Sequence, residues 1–135
     1  IYQAAHQAGL VTILHSCGYI VDILDDLIDA GLDVIQMDQQ MNMGLDLLHE
    51  RFAGRITFYC PVDIQAVMAY GNEKTIKAYC REMVSKLGTK KGGFIAGYYA
   101  SPQSVGHTPK AIKAMCEEFM QINSEIATGT FPFLK

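Results

Sequence analysis

The sequence predicts an α/β fold in which helices cover a parallel β-sheet, and two observations support this prediction. Four short β-rich runs are apolar on consecutive residues instead of alternating, as is typical of strands that are buried on both faces. These runs are residues 10–14, 34–37, 56–59 and 94–96. A segment with apolar residues at helical spacing follows each run. The chain therefore reads as a series of βα units.

Helices are predicted before, between and after these strands by apolar residues three and four positions apart. In chain order they cover residues 1–9, 20–28, 45–52, 64–70, 73–87 and a last helix from residue 109 onward. Gly9 and Gly31 are expected to end the first two helices. Asp63 is the expected N-cap of the short fourth helix, and Thr108 with Pro109 marks the start of the last one.

Four βα units joined by right-handed crossovers form either a small doubly wound sheet or part of a (β/α)₈ barrel, and the pattern alone leaves both open. A complete barrel takes roughly 250 residues, so these 135 residues correspond to about half of one. Because the chain begins inside a helix, we expect residues 1–135 to form the last four βα units of a single barrel domain. The open sheet edges would then pair with a missing amino-terminal half or with a second copy.

Composition argues against several classes of partner. The net charge of −3 and only 11 Lys and Arg argue against nucleic-acid binding. No apolar stretch approaches the roughly 20 residues of a transmembrane helix, so no membrane partner is expected. The four cysteines are too widely and irregularly spaced to suggest a disulfide framework. We therefore expect a soluble protein of the reducing cytoplasm.

The candidate metal ligands follow the strand ends, where parallel α/β sheets place their sites. His15 and Cys17 are two residues apart on extended chain, so their side chains share a side. An imidazole and a thiolate are a ligand pair that suits zinc. Cys60 closes the third strand and is the candidate third ligand. The alternative is that His15 bonds a backbone carbonyl and that both thiols are small buried side chains.

Asp38 and Tyr98 are the candidate catalytic residues. Asp38 directly follows the second strand, where a carboxylate can act as a general base or bind a substrate cation. A loop or cap role is the alternative for Asp38. Tyr98 follows the fourth strand and offers a phenol and a flat apolar face to a ligand. Because Tyr99 is its neighbour and adjacent side chains face opposite ways, only one of the two is expected to line the site.

The remaining cysteines and histidines are expected to be structural or solvated. Cys80 and Cys116 fall on the apolar stripes of their helices and are therefore predicted to be core residues. His6 and His49 are predicted to lie on solvated helix faces. His107 is expected to be a loop residue with no special role.

Six segments resemble, in the same order, the carboxyl-terminal half of the uroporphyrinogen decarboxylase superfamily. They are residues 15–18 (HSCG), 31–34 (GLDV), 52–56 (FAGRI), 61–65 (PVDIQ), 92–96 (GGFIA) and 108–112 (TPKAI). The resemblance covers roughly residues 5–122. It implies a (β/α)₈ barrel and one of two chemistries. These are cofactor-free decarboxylation of uroporphyrinogen III and zinc-dependent methyl transfer to or from corrinoid proteins.

The resemblance to each branch is partial. His15 and Cys17 resemble the first two zinc ligands of the methyltransferases. The third ligand of that branch is a cysteine after the last strand, where residues 97–99 of this chain read GYY, and Cys60 is the expected substitute. In the decarboxylases a Gly-His-Gly segment follows the last strand, and residues 98–101 replace it here. The tetrapyrrole-binding arginines and central aspartate of that branch belong to its amino-terminal half.

The sequence thus favours a zinc-dependent methyltransferase that acts on a small methylated compound or thiol with a corrinoid protein as partner. His15, Cys17 and Cys60 would hold the zinc, and Asp38 would position the substrate. Uroporphyrinogen III decarboxylation in tetrapyrrole biosynthesis, which requires no cofactor, is the alternative within the same superfamily. A barrel that binds a tetrapyrrole or corrinoid without catalysis is an alternative of another class. The His15-x-Cys17 pair separates the first two, because decarboxylation has no use for it.

Overall fold

The computed structural model describes residues 1–135 and consists of four βα units along one parallel sheet. The strands are β1 (Ile13–His15), β2 (Val34–Gln36), β3 (Thr57–Cys60) and β4 (Phe94–Ala96). The helices are α1 (Tyr2–Gln7), α2 (Val21–Asp29), α3 (Leu45–Phe52), α4 (Glu73–Leu87) and α5 (Pro109–Ala127). Short 3₁₀ turns follow β2 and β4 at Gln40–Asn42 and Pro102–Val105. None of the helices combines the length and apolar character needed to cross a bilayer.

The strand order decides between the two architectures that the sequence left open. The sheet has the order β1-β2-β3-β4, and every neighbouring pair is parallel. A doubly wound sheet reverses its order at a switch point, whereas this sheet does not. Right-handed crossovers in an unreversed order place every connecting helix on the same face, as in a (β/α)₈ barrel. The predicted α/β fold, as part of such a barrel, is confirmed.

The core lies between the sheet and its helices. Leu14, Ile35, Phe58 and Phe94 are register partners across the four strands. Ile35 and Phe58 have no exposed surface, and the apolar stripes of α2 to α5 close over this layer. Burial of side chains of this size stabilises the fold by about 1.5–3 kcal/mol each. The helix-facing side of the sheet is thus the side on which stability depends.

The first strand begins later than predicted. Residues 10–14 were expected to form it, but Leu10 and Val11 are 61% and 70% exposed, and β1 covers Ile13–His15. The physical reason is that β1 has only β2 as a hydrogen-bonding neighbour. The first ladder bond joins the Val34 N–H to the Thr12 carbonyl, so residues before Thr12 have no partner strand.

The short helix predicted over residues 64–70 is wrong, because this segment forms a series of turns. The Asp63 carbonyl accepts hydrogen bonds from the N–H groups of both Val67 and Met68. The next local bond joins Gly71 N–H to the Val67 carbonyl, so a regular helical ladder is not propagated. A segment this short gains too few bonds to offset the entropy of helix nucleation.

Cys80 and Cys116, both predicted to be core residues, differ in their burial. Cys80 is fully buried, as predicted, whereas Cys116 is exposed. The buried stripe of α5 includes Met115 and Glu118, and Cys116 lies about 100° around the helix from Met115. Within this stripe, Glu118 forms an ion pair with Arg81 of α4, with its Oε1 2.5 Å from Arg81 Nε. The buried face of α5 therefore includes Glu118 and leaves Cys116 outside it.

Arg81 also binds Glu125 through two parallel hydrogen bonds of 2.8 Å each. These bonds, with a further one from Gln121, lower the pKa of Glu125 from its ordinary 4.5 to about 2. The unfolded chain keeps the ordinary value. Because the folded-state pKa is the lower one, the Arg81–Glu125 pair stabilises the fold above about pH 4.5 and loses that contribution as the pH falls to about 2.

We therefore expect the pH to change the stability difference between the wild type and Glu125→Gln. Urea unfolding should show a constant difference above about pH 5 that shrinks steadily between about pH 4.5 and about pH 2. Glu117→Gln, which removes only an exposed contact to Lys113 at 3.6 Å, is the matched control. A Glu125→Gln difference that stays unchanged down to pH 2 would contradict the assigned pairing.

Candidate active site at the carboxyl ends of the strands

The face of the sheet opposite the helices carries a row of four side chains that the strand register places side by side. His15, Gln36, Tyr59 and Ile95 are register partners across β1 to β4. Because side chains alternate along a strand, this row points away from the Phe58 layer. His15 and Ile95 are exposed, and Gln36 and Tyr59 are half-buried. In a (β/α)₈ barrel this face lines the interior.

Four polar side chains from the ends of β1 and β2 form one continuous line on this face. Cys17 Sγ lies 3.3 Å from His15 Nε2. His15 Nδ1 is hydrogen-bonded to Gln36 Oε1. Gln36 Nε2 in turn donates to Asp38 Oδ1 at 2.7 Å. The line Cys17–His15–Gln36–Asp38 joins a thiol to a buried carboxylate through an imidazole and an amide.

The local backbone explains why His15 and Cys17 share a side. The Ser16 N–H still donates to the Gln36 carbonyl at 3.1 Å, so the extended chain continues past the end of β1. Gly18 then adopts a φ of +80°, which side-chain-bearing residues rarely adopt, and the chain turns toward α2. The predicted placement of His15 and Cys17 on one side is confirmed by their 3.3 Å contact.

Cys60 does not join this pair. It lies two residues after Phe58 on β3 and therefore shares the helix-facing side, whereas His15 faces the opposite way. Its side chain has no exposed surface, and burial raises the pKa of its thiol to about 12. No group of three or more His, Cys, Asp or Glu side chains in this chain is close enough to hold a metal ion. The expectation that Cys60 completes a cluster with His15 and Cys17 is thus corrected.

The His15–Cys17 pair fits two positions of a tetrahedral zinc site. Zinc bonds of about 2.3 Å to sulfur and 2.0–2.1 Å to nitrogen place two ligand atoms about 3.5 Å apart. The observed separation of Sγ and Nε2 is 3.3 Å. Gln36 holds the other ring nitrogen, as partners of metal-binding histidines commonly do. The donor set suits zinc, but these two residues supply only two of its ligands.

Asp38 and Tyr98 lie in different surroundings. Asp38 is 7% exposed, and its side chain accepts the bond from Gln36, so it reaches the line of polar groups only through the amide. Tyr98 is 54% exposed and lies with Tyr99 and His107 beside the segment that follows β3. The structure therefore places Asp38 in the polar line and Tyr98 beside a separate group of side chains.

Asp63 has the capping role that was expected for it, although no helix follows. Its Oδ1 accepts hydrogen bonds from the N–H groups of Gln65 and Ala66 at 3.0 and 2.7 Å. Its Oδ2 accepts one from Met41 N–H at 3.0 Å. Asp63 thus joins the segment after β3 to the 3₁₀ turn after β2, and with 1% exposure its carboxylate is closed to a substrate.

Two histidines differ from their predictions. His107 is buried, and its Nε2–H donates to the Ile64 carbonyl at 2.9 Å, so it ties the loop before α5 to the segment after β3. His49 is half-buried, and its Nδ1–H donates to the Lys86 carbonyl at 2.7 Å near the end of α4. His6 is exposed, as predicted. His107 and His49 each donate to a backbone carbonyl that lies far away in the sequence, so the local pattern of residues could not predict these bonds.

Gln36 is the site residue that sequence reasoning missed. It lies within residues 34–37, which were read as a continuous apolar run. The available signal is the amide itself, since a polar residue inside a buried strand indicates a face that is not covered by helices.

The fold defines an α/β-barrel type of protein, and the polar line is its candidate site at the carboxyl ends of the strands. A family model described as "Uroporphyrinogen decarboxylase (URO-D)" matches residues 1–121. The chain belongs to the uroporphyrinogen decarboxylase family, whose members are enzymes. No curated protein and no solved structure matches the chain. The family resemblance predicted from the sequence is confirmed.

The four thiols should differ sharply in their reactivity with iodoacetamide at neutral pH. Cys17 and Cys116 are exposed, whereas burial raises the pKa of both the Cys60 and the Cys80 thiols to about 12. We expect peptide mass spectrometry of the native, metal-free protein to find the first two alkylated and the last two unmodified. Unfolding in urea should make all four reactive. Alkylation of native Cys60 as fast as Cys116 would contradict the placement of Cys60 behind the sheet.

Proposed function

We propose that the protein is a zinc-dependent methyltransferase that moves a methyl group between a small methylated substrate or thiol and a corrinoid protein. The observation that carries this proposal is the His15–Cys17 pair, whose Nε2 and Sγ atoms lie 3.3 Å apart at the carboxyl end of β1. Both side chains are exposed on the face that carries the polar line. Decarboxylation of a tetrapyrrole has no use for a thiol beside an imidazole.

His15 and Cys17 would hold the zinc ion as two of its protein ligands. When bound, zinc acts as a Lewis acid that keeps a substrate thiol ionised or polarises the heteroatom that carries the methyl group. His15 presents Nε2 to this position because Gln36 occupies its Nδ1. Cys17 presents an exposed sulfur from the turn that Gly18 makes after β1.

The neighbouring side chains suit a small, partly apolar substrate. Tyr59 and Ile95 continue the row that begins with His15 and offer apolar surface beside it. Asp38 places a carboxylate behind Gln36, where its negative charge favours a cationic methyl donor such as an ammonium or sulfonium group. Tyr98 offers a half-exposed phenol after β4. Each of these roles is part of the proposal.

Decarboxylation of uroporphyrinogen III is the second candidate function. The description of the matching family model and the buried Asp38 carboxylate favour it, since an aspartate can face the pyrrole nitrogens of a tetrapyrrole. This reaction needs no zinc. A measurement of bound metal therefore separates the two candidates before any substrate is known.

The test is the zinc content of the full-length protein purified without chelator, measured by inductively coupled plasma mass spectrometry. We expect about one zinc ion per chain in the wild type and its loss in Cys17→Ser, because a hydroxyl is a poorer zinc ligand than a thiolate. Cys116→Ser replaces an exposed cysteine on α5 and should keep the metal. Cys60→Ser should keep it as well, because that thiol faces the helices.

Wild-type protein without zinc would contradict methyl transfer and leave two outcomes to separate. Turnover of uroporphyrinogen III would then establish decarboxylation. Tight binding of a tetrapyrrole that raises the melting temperature without turnover would establish a barrel that binds but does not catalyse.

A further inference from the structure

We propose that Gln36 is a positioning residue that fixes the tautomer and orientation of His15, and that Asp38 fixes the direction of the Gln36 amide. This inference deepens the proposed function. Only its prediction about zinc affinity rests on that function, whereas its prediction about the His15 tautomer does not. The line Cys17–His15–Gln36–Asp38 would then act as a unit that presents one defined ring nitrogen to the open face of the sheet.

The direction of the hydrogen bonds follows from the chemistry of the two ends. An ionised carboxylate can only accept, so the amide nitrogen of Gln36 must face Asp38, 2.7 Å away. The amide oxygen of Gln36 is thereby directed at His15 Nδ1. Because that oxygen can only accept, the proton of a neutral His15 must be on Nδ1, which leaves the Nε2 lone pair directed at Cys17, 3.3 Å away.

The two supports of this line lie in β2 and directly after it. Gln36 lies between β1 and β3, is a register partner of both His15 and Tyr59, and is half-buried. Asp38 is 7% exposed, and its backbone carbonyl accepts a hydrogen bond of 3.0 Å from the Ile64 N–H. A side chain held by a sheet ladder is positioned more accurately than one on a free loop.

The tautomer matters because it decides which nitrogen is available. A free imidazole side chain favours the proton on Nε2, and that nitrogen could then neither bind a metal nor accept a proton. The hydrogen bond to Gln36 selects the opposite tautomer. An unprotonated Nε2 is required whether His15 binds a metal or accepts a proton. The role of Gln36 is therefore independent of which substrate the protein uses.

The direct test is the tautomer of His15 in the metal-free, full-length protein with ¹⁵N-labelled histidine. Long-range ¹H–¹⁵N correlation spectra at about pH 8.5, roughly two units above the pKa of a free imidazole, identify the protonated nitrogen. We expect Nδ1–H in the wild type and a shift toward Nε2–H in Gln36→Leu. The same shift is expected in Gln36→Met, an unbranched replacement in case the leucine variant fails to fold.

Two further variants separate positioning from general damage to the site. Gln36→Glu keeps an acceptor oxygen for Nδ1 and should restore the wild-type tautomer. Gln103→Leu removes an exposed glutamine from the 3₁₀ turn before α5 and should change nothing. A wild-type His15 with its proton on Nε2, or a tautomer that is unchanged in both Gln36→Leu and Gln36→Met, would overturn the proposal.

The second readout is zinc affinity, measured by competition with a chromophoric chelator. Loss of a hydrogen-bonding partner behind a metal-binding histidine commonly weakens metal binding roughly 10- to 100-fold, and we expect a loss of this size in Gln36→Leu. Wild-type protein that binds no zinc would contradict the proposed function, while the tautomer measurement would still decide the role of Gln36. Equal zinc affinity of the wild type and Gln36→Leu, with the tautomer unchanged, would refute the positioning role alone.

Discussion

The parallel register between β1 and β2 is the constraint on which the candidate site depends. It pairs His15 with Gln36, and the bond from the Ser16 N–H to the Gln36 carbonyl extends it one residue further. Since strand side chains alternate, a slip of one residue would turn His15 toward the helices and break its contact with Gln36. The position of Cys17 follows from the same register, because it continues the extended chain. The polar line is therefore fixed by the pairing of β1 with β2 and by the segments that directly follow these strands.

The same alternation gives the sheet two different faces. The helix-facing side is buried and stabilises the fold, and the opposite face carries the exposed polar side chains. Phe58 and Cys60 lie on the helix-facing side, where burial raises the pKa of the Cys60 thiol to about 12 and leaves it unreactive. Cys17 is exposed beside an imidazole. Two thiols near the ends of parallel strands thus differ in exposure because their side chains face opposite ways.

Most of the fold could be predicted from the sequence, because consecutive apolar residues and helical periodicity are local signals. The His15–Cys17 pair was predictable for the same reason, since two residues on extended chain must share a side. The residues of β3 carry no signal of which side chain faces which way, so the burial of Cys60 could not be predicted. The amide of Gln36 does indicate an uncovered face, but its partners His15 and Asp38 depend on the strand register, which no local pattern shows. The exposure of Cys116 follows from which face of α5 packs against the rest of the protein, and that face includes Glu118, a charged residue that the apolar pattern leaves out.

The central claim is that His15 and Cys17 act as a ligand pair, and zinc K-edge X-ray absorption of the full-length protein tests it most directly. We expect at least one sulfur neighbour at about 2.3 Å together with nitrogen at about 2.0–2.1 Å. In protein reloaded with excess zinc, the sulfur contribution should fall by one neighbour in Cys17→Ser and stay constant in Cys116→Ser. A metal surrounded by oxygen and nitrogen alone in the wild type, or a sulfur shell that is unchanged in Cys17→Ser, would contradict the claim.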